Sequence, residues 1–523
     1  MGIWILLLTS IGQADTYIRQ PQVDVIHYDL SLELDDNSDS ITATAKITVR
    51  MRAERVSRMR LDFAGMKIDS LRMRRPLRNF AHHDGCLWIE FNRKYKKNEI
   101  AVIEVRYHGK PEHGVLIRKN KYGRRVFFTE NWPDRARSWI PSIDHPSDKA
   151  SVRVSVKAPR KYNVVSNGRL IEEKLLSKGK KLTRWVEIKE IPTYCIALGV
   201  AEFAIIRQKN TGNVPIEWYF FREDSASAAR KFRLTATALD YFSSLIAPYP
   251  YEKLAQVQAT VTLGGMENSS AIFYNEPSLQ EAIITDEPVP HEIAHQWFGN
   301  SVTQSDWDHL WLSEGFATYF DVLFYEHLQG NNALKRIMGN AARRLTAEPS
   351  VGWTPIIDPG QTDLMKKLNL LNYEKGAWVL HMLRGMLGDA AFFDGIRRFY
   401  RRHEGGNAAS EDLRDSMESA SSTPLGTFFT QWLYRAGWPQ YQISWRWDDA
   451  DSEVELSVRQ TQAAAPFDMP LDIAFLGEKQ KSVHKLRIFE KAHTFRIALP
   501  AKPLSIEVDP EEWVLKSVTL TQP

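Results

Sequence analysis

Val289-Pro290-His291-Glu292-Ile293-Ala294-His295-Gln296-Trp297-Phe298-Gly299-Asn300, VPHEIAHQWFGN, sets two histidines four residues apart with a glutamate directly after the first. On a helix, side chains at i and i+4 leave the same face, and the glutamate stands on the shoulder of that face. A hydrolytic zinc site needs this arrangement. The competing reading is two histidines on an ordinary helix, because a five-residue HExxH pattern also arises by chance.

The next helical pattern bears on the choice. Glu314, in Trp311-Leu312-Ser313-Glu314-Gly315-Phe316, opens a stretch with Phe316, Phe320, Leu323 and Phe324 at helical spacing. A helix, a connection of about ten residues and a second antiparallel helix return a carboxylate to the two imidazoles. Three protein ligands with a fourth position open to water make a catalytic zinc site, so one Zn2+ per chain on His291, His295 and Glu314 is expected. Glu292 is then the natural general base, since zinc brings the pKa of its water to about 7, within reach of a carboxylate.

Upstream lies Gly264-Gly265-Met266-Glu267-Asn268, GGMEN, after the strand-like run 255–263. Glycines let a peptide backbone approach, a strand edge can pair with it, and a carboxylate there can hold a free ammonium. Spacing alone reads the same residues as a turn after an edge strand. Met266 is expected to line the first side-chain pocket and to tolerate apolar residues.

Around this centre the period of the sequence changes twice. From residue 22 the alternation is that of strands with one buried face (Tyr28, Leu30, Leu32, Leu34; Ile41, Ala43, Ala45, Ile47, Val49; Ile103, Val105, Tyr107; Val152, Val154, Val156), with a turn at Ser166-Asn167-Gly168. Near residue 225 it becomes helical, with Ala228 to Leu245, then Ala377, Leu380, Leu383 and Leu387, a stop at Gly388-Asp389, and Phe392, Ile396 and Phe399. The helical part ends around Gly437-Trp438-Pro439, and alternation returns in Val454, Leu456, Val458, Leu471, Ile473, Phe475, Phe495, Ile497 and Leu499. The expected parts are a β domain over 15–205, a mainly helical domain over 206–437 and a β-sandwich over 438–523.

Of 523 residues, 68 are basic and 64 acidic, and this near balance gives no reason to expect a nucleic-acid partner. The Arg-rich stretch at 50–78 reads as a solvated strand face. Two cysteines exclude a disulfide framework, and Cys195 in TYCIALGV reads as a small buried hydrophobe. The apolar run Ile3 to Leu8 is too short to span a bilayer and is followed by Gly12-Gln13-Ala14, as in a signal peptide cut after Ala14, although no Lys or Arg precedes it. A buried first strand is the other reading of residues 1–14. Export to the periplasm or the extracellular space is expected with a leader, and a cytoplasmic location without one. No later segment has the length of a membrane span, and the sequence leaves the oligomeric state open.

GGMEN, HEIAH with WLSEGFATY, and Tyr373-Glu374-Lys375-Gly376 in YEKGAWVLHML together resemble the zinc aminopeptidases of the aminopeptidase N and leukotriene hydrolase group, the gluzincins. The resemblance implies a saddle-like N-terminal β domain, a thermolysin-like catalytic domain and a β-sandwich. It implies that His291, His295 and Glu314 bind zinc, that Glu292 is the base, that Gly264, Gly265, Met266 and Glu267 meet the substrate with Glu267 on its amine, and that Tyr373 stabilises the oxyanion. Periodicity alone makes Tyr373 an interfacial core tyrosine. Many relatives carry a further helical C-terminal domain that this chain ends without, so a more open site, or one covered by a partner, is expected. Relatives often place a glutamine from the β domain near the substrate amine; in Phe128-Thr129-Glu130-Asn131-Trp132-Pro133-Asp134-Arg135-Ala136-Arg137 the nearest candidate is Glu130. The expected activity is removal of single residues from peptides with a free N-terminus. The alternatives are a thermolysin-like endopeptidase, which the amine-binding Glu267 argues against, and an inactive binding module, which would have lost a ligand or the base.

Overall fold

The computed structural model describes residues 15–521 apart from 76, 211, 226–229, 280–287 and 479. The expected leader at 1–14 therefore lies outside the described residues. The chain is a mixed α+β protein with a β-rich N-terminal part, a central helical part and a C-terminal pair of sheets.

The first part is built on a seven-stranded sheet. Its central strand, Val23–Glu33, pairs antiparallel with Ile41–Met51 and parallel with Lys149–Pro159. In Ile41–Met51, and in Val23–Glu33 on either side of a bulge at Ile26, every second side chain is buried, with Tyr28, Leu30 and Leu32 at 1–3% exposure, because a pleated strand sends alternate residues to opposite faces. Cys195 is fully buried, as its apolar surroundings suggested. The Arg-rich stretch is a strand face dressed in local ion pairs, Arg50 and Arg52 with Asp24 and Arg78 with Glu90. Arg60 departs from that pattern: it is 7% exposed, pairs with Asp62 and lies over the Tyr17 ring.

A five-stranded sheet then divides the molecule. Its order is Phe203–Lys209, Pro215–Phe221, Leu254–Ala259, Ala271–Asn275 and, at the edge, Gly265–Met266. Strand Phe203–Lys209 runs across the 205/206 boundary expected between the first two parts. One face of the sheet, with Ala255, Val257 and Phe273, closes the N-terminal core. The other, with Leu254, Ile272 and Tyr274, floors the helical core. The two parts are thus joined through a sheet apolar on both faces.

Against that floor pack the helices Thr235–Leu245, Val289–Ala294, Trp311–Gln329 and Gly376–His403. The long helix breaks at Gly388, whose φ of 75° interrupts the helical backbone where Gly388-Asp389 signalled a stop and a restart. Residues 295–310 make a longer connection than expected and include a two-stranded pairing, Thr303–Gln304 with Asn407–Ala408. The last part has a four-stranded and a three-stranded sheet around one core that includes Ile443, Leu456, Ile473 and Phe475. Among the described residues, no helix is long and apolar enough to cross a membrane.

Candidate active site

The helix Val289–Ala294 starts with Pro290 in its first turn, where the missing N–H costs nothing, and His295 caps its C-terminal end. One helical turn separates the two imidazoles, whose Nε2 atoms lie 3.1 Å apart. Glu314, in the first turn of Trp311–Gln329, brings Oε2 to 3.5 Å from His291 Nε2 and 3.3 Å from His295 Nε2. Tetrahedral coordination at Zn–N and Zn–O bonds of ~2.0–2.2 Å sets ligand atoms roughly 3.3–3.5 Å apart, so the three donors have the spacing of a zinc site. Among the described residues Glu314 Oε2 is buried and accepts no hydrogen bond, a fully desolvated anionic oxygen that a cation would satisfy. Burial acts to raise the Glu314 pKa, but the charge of His295 and the contacts with both histidines hold it down to about 2. The donor set and its spacing fit Zn2+.

His295 is oriented from behind. Its Nδ1 lies 3.1 Å from Phe298 O and 3.1 Å from Ser313 Oγ, and an Nδ1–H donated to the carbonyl leaves Nε2 with its lone pair toward the other ligands. Gly299 makes this turn possible. Its φ is +115°, and a Cβ there would collide with Ser313 Oγ.

Glu292 is 7% exposed, and burial pushes its pKa well above the usual carboxylate range. Its carboxylate lies against Gly265, where a Cβ would collide with it. Glu267 comes from the same strand edge, is 6% exposed, and is pushed up to about 7 by burial, with His295 opposing and Glu314 adding to the shift. Its backbone carbonyl accepts hydrogen bonds from Gln296 Nε2 at 3.0 Å and Asn300 Nδ2 at 2.5 Å.

Tyr373 sits in a π-helical turn, Leu371–Lys375, that leads into the long helix. Its ring lies parallel to that of His291, with centroids 6.0 Å apart and 4° between planes. Burial, and then the nearby Glu314, Glu267 and Glu292 carboxylates, raise its hydroxyl pKa, so it stays a proton donor. The turn is held to the Glu314 helix by a glycine-on-glycine contact. A Cβ on Gly376 would stand 3.0 Å from Gly315 Cα.

Eight of the nine expected site residues line one cavity of about 190 Å3. Met266 is the exception and a correction: it is fully buried in the N-terminal core and does not reach the cavity. Glu130 also stands elsewhere. At 1% exposure it accepts from Arg135 Nη1 at 2.7 Å, from Thr262 Oγ1 at 2.6 Å and from the backbone N–H of Thr262, which fixes the chain just ahead of Gly264. The cavity walls that sequence reasoning missed are Trp132, Leu263 and Leu368, apolar groups with no motif of their own. A second, larger cleft of about 490 Å3 is lined by Pro133 and residues of the N-terminal part, but its charged groups are largely paired with one another: Arg60 with Asp62, Arg137 with Asp144 and His145 with Asp15.

Comparison with known proteins agrees with this geometry. The profile described as "Peptidase M1 N-terminal domain" matches residues 25–195, and that described as "Peptidase family M1 domain" matches residues 230–432. The chain is similar to the glutamyl aminopeptidase of Mus musculus, 26% identical over 465 residues that cover 81% of this chain and 48% of that protein. It is similar to probable aminopeptidase 2 of Sulfurisphaera tokodaii, 27% identical with 87% and 59% covered, and to the leucyl aminopeptidase of Saccharolobus solfataricus, 25% identical with 81% and 55% covered. The chain spans about half the length of the curated relatives it matches.

Proposed function

Since the chain belongs to the M1 peptidase family, we propose that it is a zinc-dependent aminopeptidase that hydrolyses the first peptide bond of peptides with a free N-terminus. The observation that carries this is the presence of Glu267, a nearly buried carboxylate, in the same small cavity as the His291, His295 and Glu314 donors and Glu292. A buried carboxylate gains most from a cation, and the cation every unblocked peptide brings to its first bond is the α-ammonium. A thermolysin-like endopeptidase has no use for that group. In this reading the three parts are a saddle-like β domain, a thermolysin-like catalytic domain and a β-sandwich.

When bound by His291, His295 and Glu314, zinc supplies Lewis-acid polarisation of water and of the scissile carbonyl. Glu292 takes the proton of the attacking water as the new C–O bond forms. The Tyr373 hydroxyl donates a hydrogen bond to the carbonyl oxygen as negative charge gathers on it. Glu292 then passes its proton to the departing nitrogen as the C–N bond breaks, and so returns to its starting state. Glu267 holds the α-ammonium throughout and sets which bond faces the base. The strand edge Gly265–Met266 leaves room for the substrate backbone to pair.

The test is a panel of aminoacyl chromogenic substrates, each with and without an N-acetyl block. Free-amine substrates are expected to turn over and blocked ones to be poor. Glu267→Ala is expected to lower kcat/KM on free-amine substrates by roughly thirtyfold to several thousandfold, the equivalent of about 2–5 kcal/mol, and to change blocked substrates little. Internal cleavage of an N-terminally blocked peptide would instead make the protein an endopeptidase.

A further inference from the structure

The residues that follow the second histidine are not needed to hold a metal, yet two of them are fully buried amides. Gln296 and Asn300 are both 0% exposed. Gln296 Nε2 donates to Glu267 O at 3.0 Å while its Oε1 accepts from Ser270 N at 2.8 Å, so one side chain grips the chain on both sides of Asn268-Ser269. Asn300 Nδ2 donates to the same Glu267 carbonyl at 2.5 Å. Asn300 is in turn held from the N-terminal part: its Oδ1 accepts from Cys195 Sγ at 3.1 Å, and its backbone carbonyl accepts from Lys149 Nζ at 3.0 Å.

We infer that Gln296 and Asn300 are positioning residues for substrate-amine recognition, and that they lock the peptide plane of Glu267 to the turn that follows the metal-binding histidines. This rests on Glu267 being the amine anchor. A peptide plane sets the direction in which its side chain leaves, so two amides on one carbonyl fix the Glu267 carboxylate relative to the His291–His295 pair. The distance from the amine anchor to the metal donors decides which peptide bond is presented. The same short segment thus carries the metal ligands and the gauge that measures one residue from the substrate's end. A misplacement of about 1 Å costs on the order of a hundredfold in such a site.

The test compares two metal-binding probes on the zinc-loaded protein, leucine hydroxamate and its desamino counterpart 4-methylpentanohydroxamate, by titration calorimetry. Their ratio of dissociation constants reads the value of the amine apart from the value of the metal. The ratio is expected to be roughly thirtyfold or more in the unaltered protein and to approach unity in Glu267→Ala. In Asn300→Ala and Gln296→Met it is expected to fall by about tenfold or more, with zinc content and desamino affinity unchanged. Cys195→Ala, which removes the thiol partner of the Asn300 amide and leaves the amide itself, is the mild member of the series and decides the matter if Asn300→Ala does not fold. A ratio that collapses in Glu267→Ala but stays intact in the folded Asn300, Gln296 and Cys195 variants overturns the positioning role. Equal loss of both probes also overturns it, because that marks a general structural role. A ratio that survives Glu267→Ala overturns the amine-anchor reading itself, and this inference with it.

Discussion

At the scale of single residues, the site separates three carboxylates and a phenol by what surrounds each. Glu314 faces two imidazoles and is held anionic, whereas Glu292 meets a glycine and low-dielectric surroundings and becomes a stronger base. Glu292→Gln keeps the shape and removes the proton acceptor, so the variant is expected to retain about one zinc per chain by elemental analysis and to lose nearly all turnover. Tyr373→Phe is expected to lower kcat by on the order of a hundredfold, the cost of one oxyanion donor, with KM little changed. An effect confined to KM would make Tyr373 a binding residue instead. The histidine pair was legible because i, i+4 spacing carries its own geometry. Met266 was not, because a motif string does not show which of its residues the pleat turns inward. In an extended segment Gly265 and Met266 must face opposite ways, and with Gly265 against Glu292 the methionine has only the core to enter. Glu130, the candidate offered by the resemblance, is held instead by hydrogen bonds from the Thr262 backbone and hydroxyl.

At the scale of elements, the site depends on how closely two helices approach. Gly315 follows Glu314 and Gly376 closes the turn that carries Tyr373; the Cα-to-Cβ distance of 3.0 Å that an added methyl would have leaves no room for it. Gly376→Ala is therefore expected to part the helices, at about 1–3 kcal/mol of stability, and to reduce kcat with zinc retained, because Tyr373 moves away from the cavity. A thermal midpoint equal to that of the parent protein would show that the contact yields freely. The helices themselves were plain in the sequence from their apolar spacing, down to the break at Gly388. The Gly315–Gly376 contact was hidden, since nothing in either local sequence names the other as its partner.

At the scale of the whole molecule, the N-terminal and helical parts share the five-stranded sheet, which lends a face to each core. Lys149 adds a polar tie, with its ammonium donating to the carbonyls of Asn300, Ser301 and Gly406 at 3.0, 2.8 and 3.1 Å. Lys149→Met removes one donor from each of these carbonyls, which keep Thr303 Oγ1, Gly405 N–H and Thr303 N–H as their other partners, and is expected to cost about 1–3 kcal/mol, read as a lower midpoint in thermal denaturation. Chelation is expected to abolish activity and also to lower the midpoint, since a ligand bound only by the folded state stabilises it. Full activity in metal-free protein would end the zinc reading. The sequence by itself determined the order of the β, helical and β parts, the helix that bears two histidines on one face, and a carboxylate at the head of the next helix as the candidate third metal donor. Periodicity and short-range spacing are local properties of a chain, and a local pattern can be read without its surroundings. Only the tertiary structure decided which carboxylates share the cavity with those candidate donors, that Met266 and Glu130 do not, and that Gln296 and Asn300 grip Glu267. Those outcomes depend on which faces are left to bury once distant segments have packed, and no stretch of sequence contains that information alone.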